Sequence, residues 1–337
     1  KILKEFPMSV NPYYLSLVNF EDEKDPILKM CMPTRAELNL NGSFDTSGEA
    51  SNTVTDGLQH KYAETALILS TNTCAMYCRH CFRKRLVGLS DEEIAQQFGE
   101  VMRYIRAHPQ ITNAILSGGD ALLLSNDKVE NYLRQLSDLP QLDLIRIATR
   151  TPVVLPQRIF DDAELLDILE KYNRKKQLYV VTQFNHPREV NEVSARAVRQ
   201  LQKRGLVVKN QTVLLRGVND SPEVLGKLLR KLTAIGAVPY YIFQCRPVCG
   251  VCNQFQVPLL QGAQIVSEAL SRQNGQGKCV KYCMSHPEGK IEILGALPSG
   301  EMVFKFHQAK NKKNNGKIFT RRLREEQGWL EEEIRLE

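Results

Sequence analysis

The sequence predicts an α/β fold, a partial (β/α) barrel with six parallel strands and an extension at each end. Short apolar runs alternate with amphipathic helical segments between residues 62 and 244. Repeated β-α units imply right-handed crossovers, which curl a parallel sheet toward a barrel. Polar motifs follow several of the runs directly, and a barrel places its chemistry at these carboxyl ends.

Apolar runs predict the individual strands. They lie at residues 66–70, 114–116, 144–148, 178–182, 207–214 and 238–244. Helical periodicity predicts the intervening helices. They lie at residues 91–108, with Ser90 as N-cap, 126–137, 163–172, 192–204 and 222–235.

The chain divides into three predicted parts. Residues 1–60 form an N-terminal cap broken by prolines, ending in a polar loop at 42–55. Residues 61–255 form the barrel. Residues 256–337 form an extension with a lysine loop, a hairpin strand at 300–306, a basic tail and a surface helix at 325–337.

Composition restricts the class of protein. The 337 residues are 42% hydrophobic and 25% charged, which suits a globular chain with a sizeable core. Much of the net charge of +7 lies in the tail, which we interpret as solvated surface rather than a nucleic-acid-binding arm. We find no membrane span and no signal peptide. Nine cysteines then indicate a reducing, cytoplasmic location where thiols bind metals.

Three cysteines follow the first strand at a C-x3-C-x2-C spacing: Cys74, Cys78 and Cys81. Three thiolates can hold a [4Fe–4S] cluster and leave one iron open for another ligand. The alternative is a zinc knuckle, but structural zinc takes four ligands, usually from paired C-x2-C units.

This motif, with Tyr77 before its second cysteine, resembles the signature of radical S-adenosylmethionine (SAM) enzymes. The runs CRHCFRKRLVG, LSGGDALLLS, TRTPVVLPQRI, FNHPREV and NQTVLLRGVND resemble the lysine 2,3-aminomutase family, in the same order. The resemblance implies a radical SAM barrel in which SAM binds the open iron and yields a 5′-deoxyadenosyl radical. It also implies 1,2-amino migration on a small amino acid, and a reductant protein such as flavodoxin or ferredoxin. Homo-oligomerisation stays open.

The resemblance further implies which residues contact SAM. They are Tyr77, His80, Ser117, Gly118, Gly119, Asp120, Asn185 and Gln211. Glycines after a strand let the backbone approach a ligand closely, although a tight strand-to-helix turn needs the same residues.

Two arginines are the predicted substrate contacts. Arg83 matches the family's arginine for the α-carboxylate. Arg246 falls where the family's lysine enzymes place a carboxylate for the ε-ammonium group, and the second such carboxylate falls near Ser285. Because Arg246 would repel an ammonium and attract a carboxylate, the sequence favours an acidic amino acid over lysine.

Lys290 is the counterpart of the family's lysine for pyridoxal phosphate. The glycine loop before it is shortened and contains Glu288, and the family's phosphate-binding arginine falls on Thr65. Both changes weaken the predicted phosphate site. The alternative is a lysine that merely begins a strand.

A second C-x3-C-x2-C, formed by Cys245, Cys249 and Cys252, follows the sixth strand, and Cys279 and Cys283 come later. These five thiols predict an auxiliary iron–sulfur cluster or a structural zinc, or they are free cysteines. Two alternative functions follow. One is a radical SAM enzyme that uses this second set without pyridoxal phosphate. The other is a non-catalytic metal protein that binds nucleic acid through its tail.

Overall fold

Twelve strands form one sheet in chain order in the computed structural model, which describes residues 2–89, 91–334 and 336. They are β1 (Thr53–Thr55), β2 (Leu58–Tyr62), β3 (Thr65–Thr71), β4 (Asn113–Gly118), β5 (Leu144–Ala148), β6 (Gln177–Thr182), β7 (Val207–Leu214), β8 (Val238–Gln244), β9 (Lys281–His286), β10 (Gly289–Ala296), β11 (Met302–Ala309) and β12 (Ile318–Arg321).

The centre of the sheet is parallel and its two flanks are antiparallel. Strands β3 to β8 pair in parallel, so the six predicted strands and the partial barrel are confirmed. A seventh parallel strand, β9, pairs with β8 and was not predicted. Strands β1 and β2 extend one flank, and β10 to β12 extend the other, with β11 covering the predicted hairpin strand.

Thirteen α-helices are described. They are α1 (Ile2–Glu5), α2 (Pro12–Leu15), α3 (Pro26–Cys31), α4 (Glu49–Asn52), α5 (Phe98–Ala107), α6 (Asn126–Ser137), α7 (Thr151–Val154), α8 (Gln157–Phe160), α9 (Ala163–Asn173), α10 (Glu192–Lys203), α11 (Pro222–Ala234), α12 (Cys252–Phe255) and α13 (Leu259–Ser271). Helices α1 to α4 precede the sheet, and most of the others connect its parallel strands. In the described part of the chain, none has the length and apolar character that a bilayer crossing requires.

Three local predictions need correction. The helix predicted at 91–108 begins only at Phe98, because the preceding segment lies along β3, where the Ala95 amide donates to the Leu69 carbonyl at 2.9 Å. Its predicted N-cap, Ser90, lies outside the described residues. The loop predicted at 42–55 contains α4 and β1. Over the described residues from 325 onward, the predicted tail helix is absent.

The core lies mainly between the sheet and the helices. Alternate strand residues such as Ala66, Leu116 and Ile145 are buried against that helical layer. The intervening residues point to the concave side, which we call the inner face. A second apolar cluster joins α13 to the β9–β12 flank. The domain boundaries at residues 60 and 255 stay predictions; β2 crosses the first of them and bonds to β3.

Candidate active site

The first cysteine motif occupies the loop after β3, and N-terminal segments hold this loop from outside. The Tyr77 amide donates to the Ser9 carbonyl at 2.8 Å, and the Arg79 amide donates to the Met30 carbonyl at 2.9 Å. Within the loop, the Cys81 amide donates to the Cys78 carbonyl at 3.0 Å. The cap thus fixes the backbone that carries the three thiols.

A buried carboxylate reinforces this attachment. Glu37 is fully buried, and its carboxylate accepts from Arg79 Nε at 3.0 Å and from Lys84 Nζ at 2.6 Å. Burial alone would raise the pKa of Glu37, but the bonds from the two cations outweigh it and hold the pKa below its ordinary value. The Glu37 carboxylate of the N-terminal cap therefore binds one residue on each side of Cys81, Arg79 and Lys84.

The three thiols converge in a setting that suits an anionic cluster. Burial, then the neighbouring Cys78, raise the pKa of Cys81 to about 11, and burial likewise raises the pKa of Cys74. Arg150 Nη1 donates to Cys78 Sγ at 2.8 Å. Buried sulfur atoms with a cationic donor fit a cluster whose thiolates each bind a different iron.

Arg150 also connects this loop to the next part of the site. Its Nη2 pairs with Glu189 Oε1 at 2.6 Å, and the same carboxylate oxygen accepts from the Tyr14 hydroxyl at 2.6 Å. Arg150 lies two residues after β5. Its role is not evident from the sequence, although the run TRTPVVLPQRI contains it.

The two glycines of the Ser-Gly-Gly-Asp motif pack against the cysteine loop. Gly118 has φ +108°, and a Cβ there would lie 2.3 Å from the Thr71 carbonyl oxygen. A Cβ on Gly119 would lie 2.4 Å from the Thr73 carbonyl oxygen. Close backbone packing therefore requires both glycines. Contact of Ser117, Gly118 and Gly119 with SAM stays a prediction.

Asp120 is turned toward its own chain. Its carboxylate accepts from the backbone amide of Arg150 at 2.8 Å, from Thr151 Oγ1 at 2.9 Å, from Leu122 N at 3.1 Å and from the Thr149 hydroxyl. Burial raises its pKa, and these bonds oppose the rise. Four internal donors give Asp120 a structural role in joining β4 to β5, and its contact with SAM stays a prediction.

The structure brings His80 and Asn185 together. His80 Nε2 lies 3.1 Å from Asn185 Nδ2 and 3.3 Å from Gln183 Oε1. Burial, with Arg150 adding to it, lowers the pKa of His80 to about 3, so the imidazole is neutral. Its Nδ1 is buried without a partner among the described residues. Gln211 lies further along, on the inner face of β7, half-buried.

The predicted substrate arginines lie in one charged cluster. Arg83 donates to Glu49 Oε1 through Nε at 3.1 Å and to Ser117 Oγ through Nη1 at 3.1 Å. Glu49 also pairs with Arg85 at 2.7 Å. Arg83 and Arg246 both stack on the Phe82 ring, 4.5 and 4.1 Å from its centroid.

Glu49 is the buried carboxylate among these cations, and the half-buried Asp45 is a second acid near Arg246 and Lys61. Burial alone would raise the pKa of Glu49, but Arg83, Arg246 and Arg85 lower it to about 2. Burial and Arg246 together lower the pKa of Lys61 to about 7. In the described part of the chain, the Arg246 guanidinium has no hydrogen-bonded acid, because Glu49 already serves the other two arginines. The cluster carries surplus positive charge.

Lys290 projects from β10 onto the inner face. Its Nζ lies 4.2 Å from the ring centroid of Tyr241 and 5.7 Å from that of Phe243. Burial lowers the pKa of Lys290 to about 8; Cys283 opposes this, whereas Arg146 and Arg246 add to it. Lys290 is indeed near the start of a strand, but its amine is buried among aromatic rings and cations. An amine in this setting is partly neutral at moderate pH and suits covalent attachment of an aldehyde.

The five cysteines of the second set differ in their exposure and in their contacts. Cys252 Sγ donates to the Asn41 carbonyl at 3.2 Å, whereas Cys279 is exposed and donates to the Gly275 carbonyl at 3.3 Å. Cys283 lies in β9 beside Lys290. Cys245 and Cys249 are buried.

Among the described residues, no three His, Cys, Asp or Glu side chains are arranged around a single metal ion, either in the first cysteine motif or in this second set. The auxiliary cluster stays a prediction. A structural zinc at these thiols likewise stays a prediction.

Comparison with known proteins agrees with this site. The sequence profile described as the Radical SAM superfamily matches residues 68–229. A putative L-lysine 2,3-aminomutase of Aquifex aeolicus (strain VF5) is 39% identical over 334 residues, or 98% of this chain and 89% of that protein. L-lysine 2,3-aminomutase of Clostridium subterminale is 41% identical over 281 residues, or 82% of this chain and 66% of that protein.

A glutamate 2,3-aminomutase is also similar. The protein of Clostridioides difficile (strain 630) is 36% identical over 287 residues, or 85% of this chain and 66% of that protein. A match that covers 98% of the chain extends well beyond the cysteine loop. The chain therefore belongs to the lysine 2,3-aminomutase family of radical SAM enzymes.

Proposed function

We propose that the chain is a pyridoxal-phosphate-dependent radical SAM 2,3-aminomutase whose substrate is an acidic amino acid. The observation that carries the proposal is that two buried cations, the Lys290 amine and the Arg246 guanidinium, lie near each other. Arg246 is close enough to contribute to the lowered pKa of Lys290. An amino acid attached near Lys290 would therefore present its side chain to a cation.

The charge balance of the cluster supports an anionic side chain. Arg83, Arg246 and Lys61 face a single buried carboxylate, Glu49. Bringing a lysine ammonium to this surplus would add repulsion between desolvated like charges, whereas a carboxylate would neutralise Arg246. Arg246 on the Phe82 face presents a planar guanidinium, which matches a carboxylate with two parallel hydrogen bonds.

The chain has side chains for each cofactor. Cys74, Cys78 and Cys81 would hold the cluster, and Lys290 would hold pyridoxal phosphate. When bound, the cluster with SAM supplies the hydrogen-abstracting radical, and pyridoxal phosphate supplies the conjugated system that makes a 1,2-nitrogen shift feasible. The residues of this chain bind, orient and exclude water.

Each of these residues has a definite task in the proposal. Arg150 supplies a positive charge at Cys78, and the neutral His80 with Asn185 forms a polar wall beside the cysteine loop. Arg83, held by Glu49 and bonded to Ser117, would bind the α-carboxylate of the substrate. The Tyr241 and Phe243 rings exclude water from the Lys290 amine.

The test uses the anaerobically reconstituted full chain with SAM, dithionite and pyridoxal phosphate. Glutamate, aspartate and lysine are supplied separately, and β-amino isomers are measured by mass spectrometry after derivatisation. We expect isomers of an acidic amino acid and none of lysine. R246Q should abolish this turnover, while R103Q, at an exposed helix position, should leave it unchanged. Turnover of lysine alone would refute the acidic-substrate assignment.

Borohydride trapping separates the proposal from the alternative without pyridoxal phosphate. We expect a pyridoxyl group on the peptide that contains Lys290, and none in K290A. Absence of this adduct in the unaltered chain would exclude the pyridoxal mechanism and favour the second cysteine set. The reductant, a protein such as flavodoxin or ferredoxin, and the cytoplasmic location are parts of the same proposal.

A further inference from the structure

Basic side chains line the inner face below Lys290, although the predicted phosphate-binding arginine is replaced by Thr65. Arg146 extends from β5 and Lys209 from β7, and the intervening strand β6 contributes Tyr179 between them. In the described part of the chain, neither Arg146 nor Lys209 forms an ion pair with a carboxylate. Their positive charges are therefore not neutralised by the protein and are available to an anionic ligand.

Arg146 reaches the place that Thr65 leaves without charge. Its Nη2 donates to the Asn113 Oδ1 atom, and Asn113 Nδ2 donates in turn to Thr65 Oγ1 at 3.1 Å. Asn113 stands between Thr65 and Arg146 because β4 lies between β3 and β5. Thr65 on β3 lacks the positive charge of the family's arginine, and Arg146 on β5, two strands away, provides a positive charge near the same place.

The Arg146 guanidinium still has an unused donor. Its Nε is buried and has no hydrogen-bond partner among the described residues. A buried donor without a partner is costly, and an anionic oxygen would satisfy it. The Nε donor therefore remains for an oxygen atom of an anionic ligand, which a phosphate provides.

A bulge in the next strand shapes the other wall. The register of β7 and β8 moves from Asn210 opposite Pro239 to Gln211 opposite Tyr241, so Tyr240 is an extra residue. Lys209 Nζ lies 4.6 Å from the Tyr240 ring centroid and 5.1 Å from that of Tyr179. The bulge holds this lysine at the inner face by aromatic contacts, with no carboxylate to neutralise it.

Tyr241 links this basic site to Lys290. The Lys290 amine lies over the Tyr241 ring, and Arg146 is near enough to both to influence their ionisation. The Tyr241 and Tyr240 ring centroids are 4.0 Å apart, Lys209 lies over the rings of Tyr240 and Tyr179, and Tyr179 is opposite Arg146 on the neighbouring strand. A ligand attached at Lys290 and extending along Tyr241 would therefore approach Lys209 and Arg146. A pyridine ring with a phosphate arm has this form.

We infer that Arg146, assisted by Lys209, binds the phosphate group of the pyridoxal phosphate attached at Lys290. The inference rests on the proposed function and adds the group that fixes the cofactor's phosphate in this chain. A dianionic phosphate would satisfy the orphan Nε of Arg146 and would also reduce the repulsion between the cations around Lys290.

The test compares pyridoxal phosphate with pyridoxal, which has the same aldehyde and no phosphate. The reconstituted full chain is titrated with each ligand and trapped with borohydride, and the modified Lys290 peptide is quantified by mass spectrometry. The unaltered chain should bind pyridoxal phosphate more tightly than pyridoxal. R146Q should weaken pyridoxal phosphate at least about tenfold and leave pyridoxal unchanged, as expected for one lost charge-assisted bond.

Three further measurements make the result decisive. K209Q should show a smaller effect in the same direction, and the exposed control R103Q should show none. R146K, which keeps the charge and loses the planar fork, tests the same site if R146Q does not fold. Inorganic phosphate should compete with pyridoxal phosphate in the unaltered chain and not with pyridoxal.

Two outcomes would overturn the inference while leaving the proposed function intact. In one, the unaltered chain traps both aldehydes with equal affinity. In the other, R146Q and R146K weaken both ligands alike, as a merely structural arginine would. If neither ligand labels Lys290 in the unaltered chain, the proposed function fails and the inference fails with it.

Discussion

Replacing Glu37 by glutamine should destabilise the protein and release the cysteine loop. The carboxylate is fully buried and accepts from Arg79 and Lys84, two side chains that are themselves buried. E37Q keeps one oxygen acceptor but leaves two desolvated cations without a counter-charge. Removing one partner of a buried ion pair costs about 3–5 kcal/mol, and the retained acceptor places this case near the lower value, about 3 kcal/mol.

The assay is urea unfolding of the metal-free chain, followed by iron content after reconstitution. E37Q should lose about 3 kcal/mol of unfolding free energy and much of its iron, because Arg79 and Lys84 flank Cys81. E93Q is the matched control: Glu93 pairs with Arg85 but is 41% exposed, so its loss should be within about 1 kcal/mol. E37Q with the stability and iron content of the unaltered chain would refute the anchoring role.

Three other changes test separate parts of the site. The pKa of Lys290 is lowered to about 8, so the rate at which borohydride traps pyridoxal phosphate on Lys290 should rise through pH 8. The rate should then level off well below the ordinary lysine pKa. A rise that continues to pH 10 would contradict this. R150M should make the cluster harder to reduce, because a cation at Cys78 stabilises the more negative state, and R150K should restore most of the potential in a redox titration. G119A should lower thermal stability and iron content together, because its methyl group would lie 2.4 Å from the Thr73 carbonyl oxygen, whereas G275A has open space and should change neither.

The periodicity of the sequence was sufficient to predict the central strands and four of their helices. Runs such as that of β5 are short, apolar and bounded by polar residues, so the local signal and the tertiary environment agree. The segment before Phe98 failed for the opposite reason. Its residues have helical spacing, but the Ala95 amide bonds to β3 instead of starting the helix. Tertiary hydrogen bonds overrode local propensity there.

The candidate site was predictable where its residues are close in sequence. Cys74, Cys78 and Cys81 are one short motif, and Arg83 follows directly. Glu49 and Arg146 were missed because their roles depend on neighbours far along the chain, Arg83 in one case and Thr65 in the other. In the sequence, Thr65 in place of the family's arginine indicates that a positive charge is lost. The order of the strands in the sheet shows that Arg146 lies two strands away from Thr65.

The N-terminal cap bonds to the loop after β8 as well as to the cysteine loop after β3. The Ser43 amide donates to the Pro247 carbonyl at 2.9 Å, and the Asn39 carbonyl accepts from the Gly250 amide at 2.9 Å. Asn39 and Ser43, which precede the barrel strands in the chain, therefore cannot reach their final positions until β8 and the loop after it exist. Contacts so distant in sequence form late, after local β-α units. During that interval the cysteine loop lacks its outer covering, which gives iron and sulfide access to the thiols before the cap closes over them.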